Sequence, residues 1–213
     1  TGNNGDTTAR PLARIEARTE VMNHHDWQLT EVQCSSTIEH DQVHSVATVD
    51  RVRNGPLGLD QVTTEFEVTE DGVTIKQLDV ALIVADDQVT VDDVSCSGGL
   101  DDNKRLQLRG TMATMVYNSP SEFAIEAGSF QLDWQRQKQK VKVTAEHATI
   151  DRENIVRNAD IEVEFGQDQR STGHANCDSI TWNNGITAKG ARINFTVDGD
   201  EISHNSTWAD VDV

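Results

Sequence analysis

Alternation constrains this chain more than any other feature. Gly128-Ser129-Phe130-Gln131-Leu132-Asp133-Trp134, Ala159-Asp160-Ile161-Glu162-Val163-Glu164-Phe165 and Ala191-Arg192-Ile193-Asn194-Phe195-Thr196-Val197 each place apolar residues at every second position. That is the period of a strand with one face buried and the other wet. The three segments begin about 31 residues apart, a spacing within the range of repeat architectures. Leu78-Asp79-Val80-Ala81-Leu82-Ile83-Val84 reads as a further copy. No long segment carries a 3.6-residue period, which excludes a wound α/β sheet.

Taken in order, residues 1–11 form a flexible lead ending at Pro11. Residues 12–22 mix helix-favouring Ala, Glu and Arg with an alternating Ile15, Ala17, Thr19, Val21, and are read as strand. Strands follow at 27–34, 43–52 and 62–68. Asn54-Gly55-Pro56-Leu57-Gly58 and Glu70-Asp71-Gly72 are turns, the second an Asp-Gly hairpin signal. Gly98–Asn103 reads as a loop, and 106–117 as strand. Asn118-Ser119-Pro120-Ser121 is the clearest interruption, so an N-terminal β module over 12–118 and a C-terminal one over 119–213 are expected, or one continuous domain. In the second module strand 123–127 meets strand 128–134, Arg136–Lys140 is a polar connection, and strands continue at 141–150, 155–165, 171–182, 186–197 and 201–213. Strands of this density, separated by Gly, Asn and Asp, make an all-β sandwich, barrel or solenoid.

Charge narrows the partners. There are 36 acidic against 18 basic residues, a net charge of −18. Neutralising nucleic-acid phosphates requires the opposite balance, and so does a general anionic membrane surface. Apolar residues are 36% of the chain, about 43% with glycine, slightly under the ~45–50% of globular domains, which suits a thin, elongated core. The polar opening Thr1-Gly2-Asn3-Asn4-Gly5-Asp6 lacks a leader pattern, so an anchor or signal segment is expected to be missing from this form. Cys34, Cys96 and Cys177 are far apart with no CxxC pair, which speaks for packing groups and against structural zinc.

A family resemblance enters in the second half. Val143-Thr144-Ala145-Glu146-His147-Ala148-Thr149-Ile150-Asp151 is followed by Asn154-Ile155-Val156-Arg157-Asn158-Ala159-Asp160-Ile161. Ile186-Thr187-Ala188-Lys189-Gly190-Ala191-Arg192-Ile193 precedes Asp198-Gly199-Asp200-Glu201-Ile202. These resemble the OstA-like repeats of the lipopolysaccharide-transport proteins of the LptA and LptC type, mainly over 120–213. The resemblance implies an open antiparallel β-jellyroll, a sheet folded to a V, whose apolar interior holds acyl chains and whose end strands pair with other such modules. It implies a periplasmic or cell-envelope location, a lipopolysaccharide-like lipid as ligand, and a homo-oligomer as a further expectation. The chain departs from the family in being longer and more acidic than a single module.

Under that reading the lipid groove is lined by Phe130, Leu132, Trp134, Ile161, Val163, Phe165, Ile193, Phe195 and Val197, each buried CH₂ of an acyl chain contributing about 0.8 kcal/mol. The same alternation serves a filled core, as in a structural or adhesive β-solenoid without lipid. Arg136, Lys138, Lys140 and Lys142 share one parity and form a basic stripe suited to a lipid phosphate at the groove rim, or to a solvated edge. His40 and His44 lie about 13 Å apart on an extended chain, too far for one metal ion. His24-His25-Asp26 and the Asp-rich turns match no metal loop. No nucleophile elbow, phosphate loop or dinucleotide fingerprint is present, so neither an enzyme nor a cofactor is expected, and a polysaccharide-active β-helix is the least favoured reading. Strand content is predicted to exceed about 45% with helix below about 10%, against an ordinary ~20–25% strand. A far-UV circular dichroism spectrum dominated by helix contradicts it.

Overall fold

The computed structural model describes residues 12–118, 122–135, 138–166, 170–198 and 201–212. Among these, strand accounts for 86% and helix for none. Fourteen strands run in chain order: β1 (Ala13–His24), β2 (Trp27–Glu39), β3 (Gln42–Asn54), β4 (Leu57–Thr69), β5 (Gly72–Ala85), β6 (Val89–Asp101), β7 (Leu106–Asn118), β8 (Glu122–Gln135), β9 (Lys138–Ile150), β10 (Asn154–Phe165), β11 (Arg170–Thr181), β12 (Thr187–Asp198), β13 (Glu201–Thr207) and β14 (Asp210–Asp212). From β1 to β13 each pairs antiparallel with its chain neighbour, and β14 pairs with β12, in one sheet that is not closed into a barrel. The fold is thus the open antiparallel sheet expected.

Each even-numbered strand from β2 to β12 holds one residue in the left-handed region near its middle. These are Glu31, Gln61, Asp93, Ala127, Asn158 and Gly190, with φ between 49° and 61°. They fall in one line across the sheet. The ladder skips the pairings around them: between β8 and β9 it passes from Glu126↔His147 to Ser129↔Thr144. A left-handed residue in an extended strand turns the pleat over and bends the strand, as in a bulge. Buried positions record the reversal. Ile125 and Gly128, Ala145 and Ala148, Val156 and Ala159, and Ala188 and Ala191 are three apart, where an unbroken strand would bury residues two apart. The sheet is therefore creased along this line, and both arms keep their apolar side chains on the inner side.

The crease crosses the final strand too. β13 and β14 both pair with β12 in one register, Arg192↔Thr207 and Lys189↔Asp210, separated by Trp208 and Ala209 opposite Gly190 and Ala191. They are one strand interrupted at the bend. Gly190 suits its place on two counts: its φ is 61°, and an added Cβ would lie 2.8 Å from the Cβ of Ala209.

Burial is concentrated beside the crease. One cluster gathers Val52, Val62, Val80, Val94 and Met112; the other gathers Ile125, Ala145, Ala148, Val156, Ala159, Ile180 and Ala191. Met115 and Val143 pack against both. Among the described residues no element approaches any other except its partners in the sheet, so no second layer covers the inner face.

Several local expectations change. The segments 123–127 and 128–134 are one strand, β8, bent at Ala127. Gly98 to Asp101 belong to β6 and are not a loop; the glycine at 98 serves close strand approach, since a Cβ there would lie 1.8 Å from the carbonyl oxygen of Gln107. Lys138 to Lys140 open β9 and are not a connection, while Arg136 and Gln137 lie outside the described residues. Leu78–Val84 lies in β5, which runs opposite to β8, β10 and β12, so the copy is out of phase. At the expected module boundary, β7 and β8 pair from Leu106↔Trp134 to Asn118↔Glu122, and the sheet is unbroken.

Ala127 is exposed and pays the steric cost of the left-handed conformation without a side-chain amide or carboxylate to offset it. Ala127→Gly is expected to raise stability by about 0.5–1 kcal/mol, and Ala127→Val to lower it by about 1–2 kcal/mol. Urea unfolding monitored by circular dichroism checks both, and a loss on Ala127→Gly contradicts the strain assigned to this position.

Candidate functional site: the inner face of the creased sheet

Register turns the alternation into rows that cross the strands. Beside the crease runs Met22, Leu29, Val52, Leu59, Ile83, Val91, Met115, Ile125, Ala148, Val156, Ile180, Ala188 and Val211, an unbroken ladder of apolar partners. At the far rim runs Ile38, Val43, Val68, Val73, Leu100, Leu106, Trp134, Gln139, Phe165, Ser171 and Val197. At about 4.8 Å per strand, these rows give an apolar trough roughly 55 Å long.

The nine residues read as groove-lining fall on a grid within this face. Trp134, Phe165 and Val197 stand in the rim row; Leu132, Val163 and Phe195 in the next; Phe130, Ile161 and Ile193 in the third. Val141 and Val143 of β9 and Gly173 and Ala175 of β11 complete the rows between them. Those four are not read as groove lining from the sequence, because β9 shows lysines beside its valines and the β11 residues are small. Gly173 has a definite job: an added Cβ would lie 2.4 Å from Cζ of Phe195, whose ring crosses that space. Exposure rises from the crease to the rim, from 2% at Ala148 to 41% at Phe165 and 46% at Trp134.

The opposite face is mostly polar, with exposed Val46 and Ile155 among its exceptions. One of its rows reads Arg14, Thr37, His44, Glu67, Thr74, Gly99, Gln107, Asp133, Lys140, Glu164, Thr172 and Thr196. Lys138, Lys140 and Lys142 project here, away from the trough. Each meets a carboxylate of β10: Lys138 Nζ to Glu164 at 2.9 Å, Lys140 to Glu162 at 2.8 Å and Lys142 to Asp160 at 2.7 Å. The Asp160 hydrogen bond holds the Lys142 ammonium above its ordinary pKa. A lipid phosphate at the trough rim would therefore find these three lysines on the far side of the sheet and already paired. Arg136, the fourth member of that stripe, lies outside the described residues.

The three thiols are unpaired and sit on the inner face, Cys34 and Cys96 in one row and Cys177 beside the crease. Burial pushes the Cys96 thiol up, with help from the Asp79 carboxylate, and burial does the same to Cys177. Ser36 and Ser45, inner-face residues of β2 and β3, satisfy each other through a 2.8 Å hydroxyl hydrogen bond. Among the described residues no three His, Cys, Asp or Glu side chains converge to hold a metal ion.

No protein-family model matches this chain, and neither a curated protein nor a solved structure does.

Thiols held protonated by burial are poor nucleophiles. Replacing Cys34, Cys96 and Cys177 together by Ala should leave any ligand binding intact, and Cys96 should react with a thiol reagent only on unfolding. Rapid native-state labelling of Cys96, or lost binding with the fold preserved, contradicts this assignment.

Proposed function

We propose that this chain is a periplasmic, non-enzymatic lipid-binding protein of envelope lipopolysaccharide transport, holding acyl chains against the inner face of its creased sheet. The observation that carries the reading is an apolar face that runs the full width of the sheet and has no second layer over it among the described residues. Water contact with so much apolar surface is costly, and filling it with alkyl chains recovers about 25 cal/mol per Å² covered. The resemblance of residues 120–213 to OstA-like repeats supports the same reading from the sequence side. So does the edge arrangement: among the described residues β1 leaves one edge of its backbone unpaired and β13 the other, each a template for a further strand. In this reading a second module pairs there, and the trough runs on from one module to the next.

The alternative is an adhesive or structural sheet whose inner face binds no lipid. Phe165 and Glu164 separate the two, because they are chain neighbours on opposite faces at the rim. Phe165 is partly exposed, so Phe165→Asp should leave a folded protein with at most about 1 kcal/mol of destabilisation. It should abolish photocrosslinking to a labelled lipopolysaccharide, while Glu164→Lys leaves crosslinking within about twofold. Ala148→Asp, placing a carboxylate beside the crease, should cost several kcal/mol and unfold the protein, which calibrates the melting assay. If no lipid crosslinks to the wild-type protein, the transport reading falls.

A further inference from the structure

The outer face carries a dent where β5, β6 and β7 run side by side. In the row Thr74, Gly99, Gln107 the middle position carries no side chain. The dent has a volume of about 460 Å³. Thr74 of β5 walls one side, Ser97 and Asp101 lie along β6, and Arg105, Gln107 and Arg109 close the other side. Gly99 is held to glycine by its neighbour, since a Cβ would lie 2.8 Å from the carbonyl oxygen of Val73. β5 is irregular beside it, its ladder to β6 slipping between Ile75 and Leu78. Bulges of this kind re-aim side chains and gather next to binding sites. A second depression of about 300 Å³ shares Arg105, Gln107 and Arg109 as lining and reaches Lys140 and Lys142.

The cations here divide into committed and free. Arg105 is fastened to Asp133, its Nε donating to Oδ1 at 2.8 Å and its Nη2 to Oδ2. This fixes one wall and holds the Asp133 carboxyl below the usual carboxylate range. Lys140 and Lys142 are paired with Glu162 and Asp160. Arg109, at the junction of both depressions, has no carboxylate within 4.0 Å among the described residues. Two arginines, Arg105 and Arg109, and two carboxylates, Asp71 and Asp101, line the larger dent, and four cations and two carboxylates line the smaller one, in a chain of net charge −18. The overall field repels anions, so an anion that settles here is held by local contacts. At ~30 Å³ per water the larger dent has room for roughly fifteen, far more than an inorganic phosphate fills. Its remaining walls of hydroxyl, amide and carboxylate match a body rich in hydroxyl groups.

We propose that the dent over β5–β7 is a binding site for a sugar phosphate, with Arg109 taking the phosphate and Ser97, Asp101 and Gln107 the sugar hydroxyls. The site lies on the face opposite the trough and does not rest on the lipid reading. The test is a titration of isotope-labelled protein with glucose 1-phosphate, inorganic phosphate and glucose, followed by amide chemical shifts. Glucose 1-phosphate should move residues 72–74, 97–101 and 105–109. Inorganic phosphate should bind at least about tenfold more weakly, and glucose should move nothing. Arg109→Gln should weaken glucose 1-phosphate about tenfold or more, the effect of losing a charge-assisted contact, whereas Arg157→Gln, removing an exposed arginine outside the dent, should not. Micelles of a phosphoglycolipid distinguish the source: a headgroup ligand moves dent and trough amides together, a soluble one the dent alone, and either outcome supports the site. No shift with glucose 1-phosphate, an unchanged response in Arg109→Gln, or equal responses to phosphate and sugar phosphate overturns the proposal.

Discussion

The line of left-handed residues across β2, β4, β6, β8, β10 and β12 is the constraint on which the architecture depends. A strand shows the same face at i and i+2, so a strand of 12 to 14 residues with no interruption would carry one apolar face on a flat sheet. Turning the pleat over at one residue per hairpin lets the strand bend while its apolar side chains stay inside. The cost is local strain at positions such as Ala127 and Glu31, where the side chain crowds its own backbone. The return is burial: Ile125 and Ala148, on neighbouring strands beside the crease, are almost fully covered although no second layer lies over them among the described residues.

The burial gradient follows from that geometry. Where the two arms meet, small side chains suffice, and Ala145, Ala148, Ala159, Ala188 and Ala191 are all deeply buried. Away from the crease the arms diverge, so larger side chains stand in the rows and are covered less. Trp134 and Phe165 end that series at the rim. A packed two-layer sandwich would bury both ends of each strand alike, since its layers face each other along their whole length. The gradient is what separates a trough from a core, and it is the physical content of the lipid proposal.

The outer face solves a different problem. A single sheet with one apolar side risks association through the other, and this chain fills it with charges of both signs set across strands. Lys138, Lys140 and Lys142 pair diagonally with Glu164, Glu162 and Asp160. Such half-exposed pairs each contribute little to stability, around 0–1 kcal/mol. At the crease-side turns, Arg152 clasps Glu122 and Asn183 reaches Glu153, tying together the start of β8 and the turns that precede β10 and β12, about thirty residues apart. The repeat seen in the sequence is thus a repeat of hairpins linked at their turns.

The sequence by itself determined the class of structure and one face of it. Alternation is a local property, legible at Phe130, Leu132 and Trp134 and again one and two hairpins later, and register then aligns those residues in rows. The strands between were harder to read. β9 shows its lysines as plainly as its valines, and in β11 the trough is lined by Ser171, Gly173 and Ala175, which carry no apolar signal. The tertiary structure alone decided where the strands bend, and with that which side of β8 each half presents. Glu31, Gln61, Asp93, Ala127, Asn158 and Gly190 share no residue type, so no pattern marks them. Their left-handed backbone is imposed by the ladders on both sides, a long-range constraint that overrides the preference of each residue taken alone.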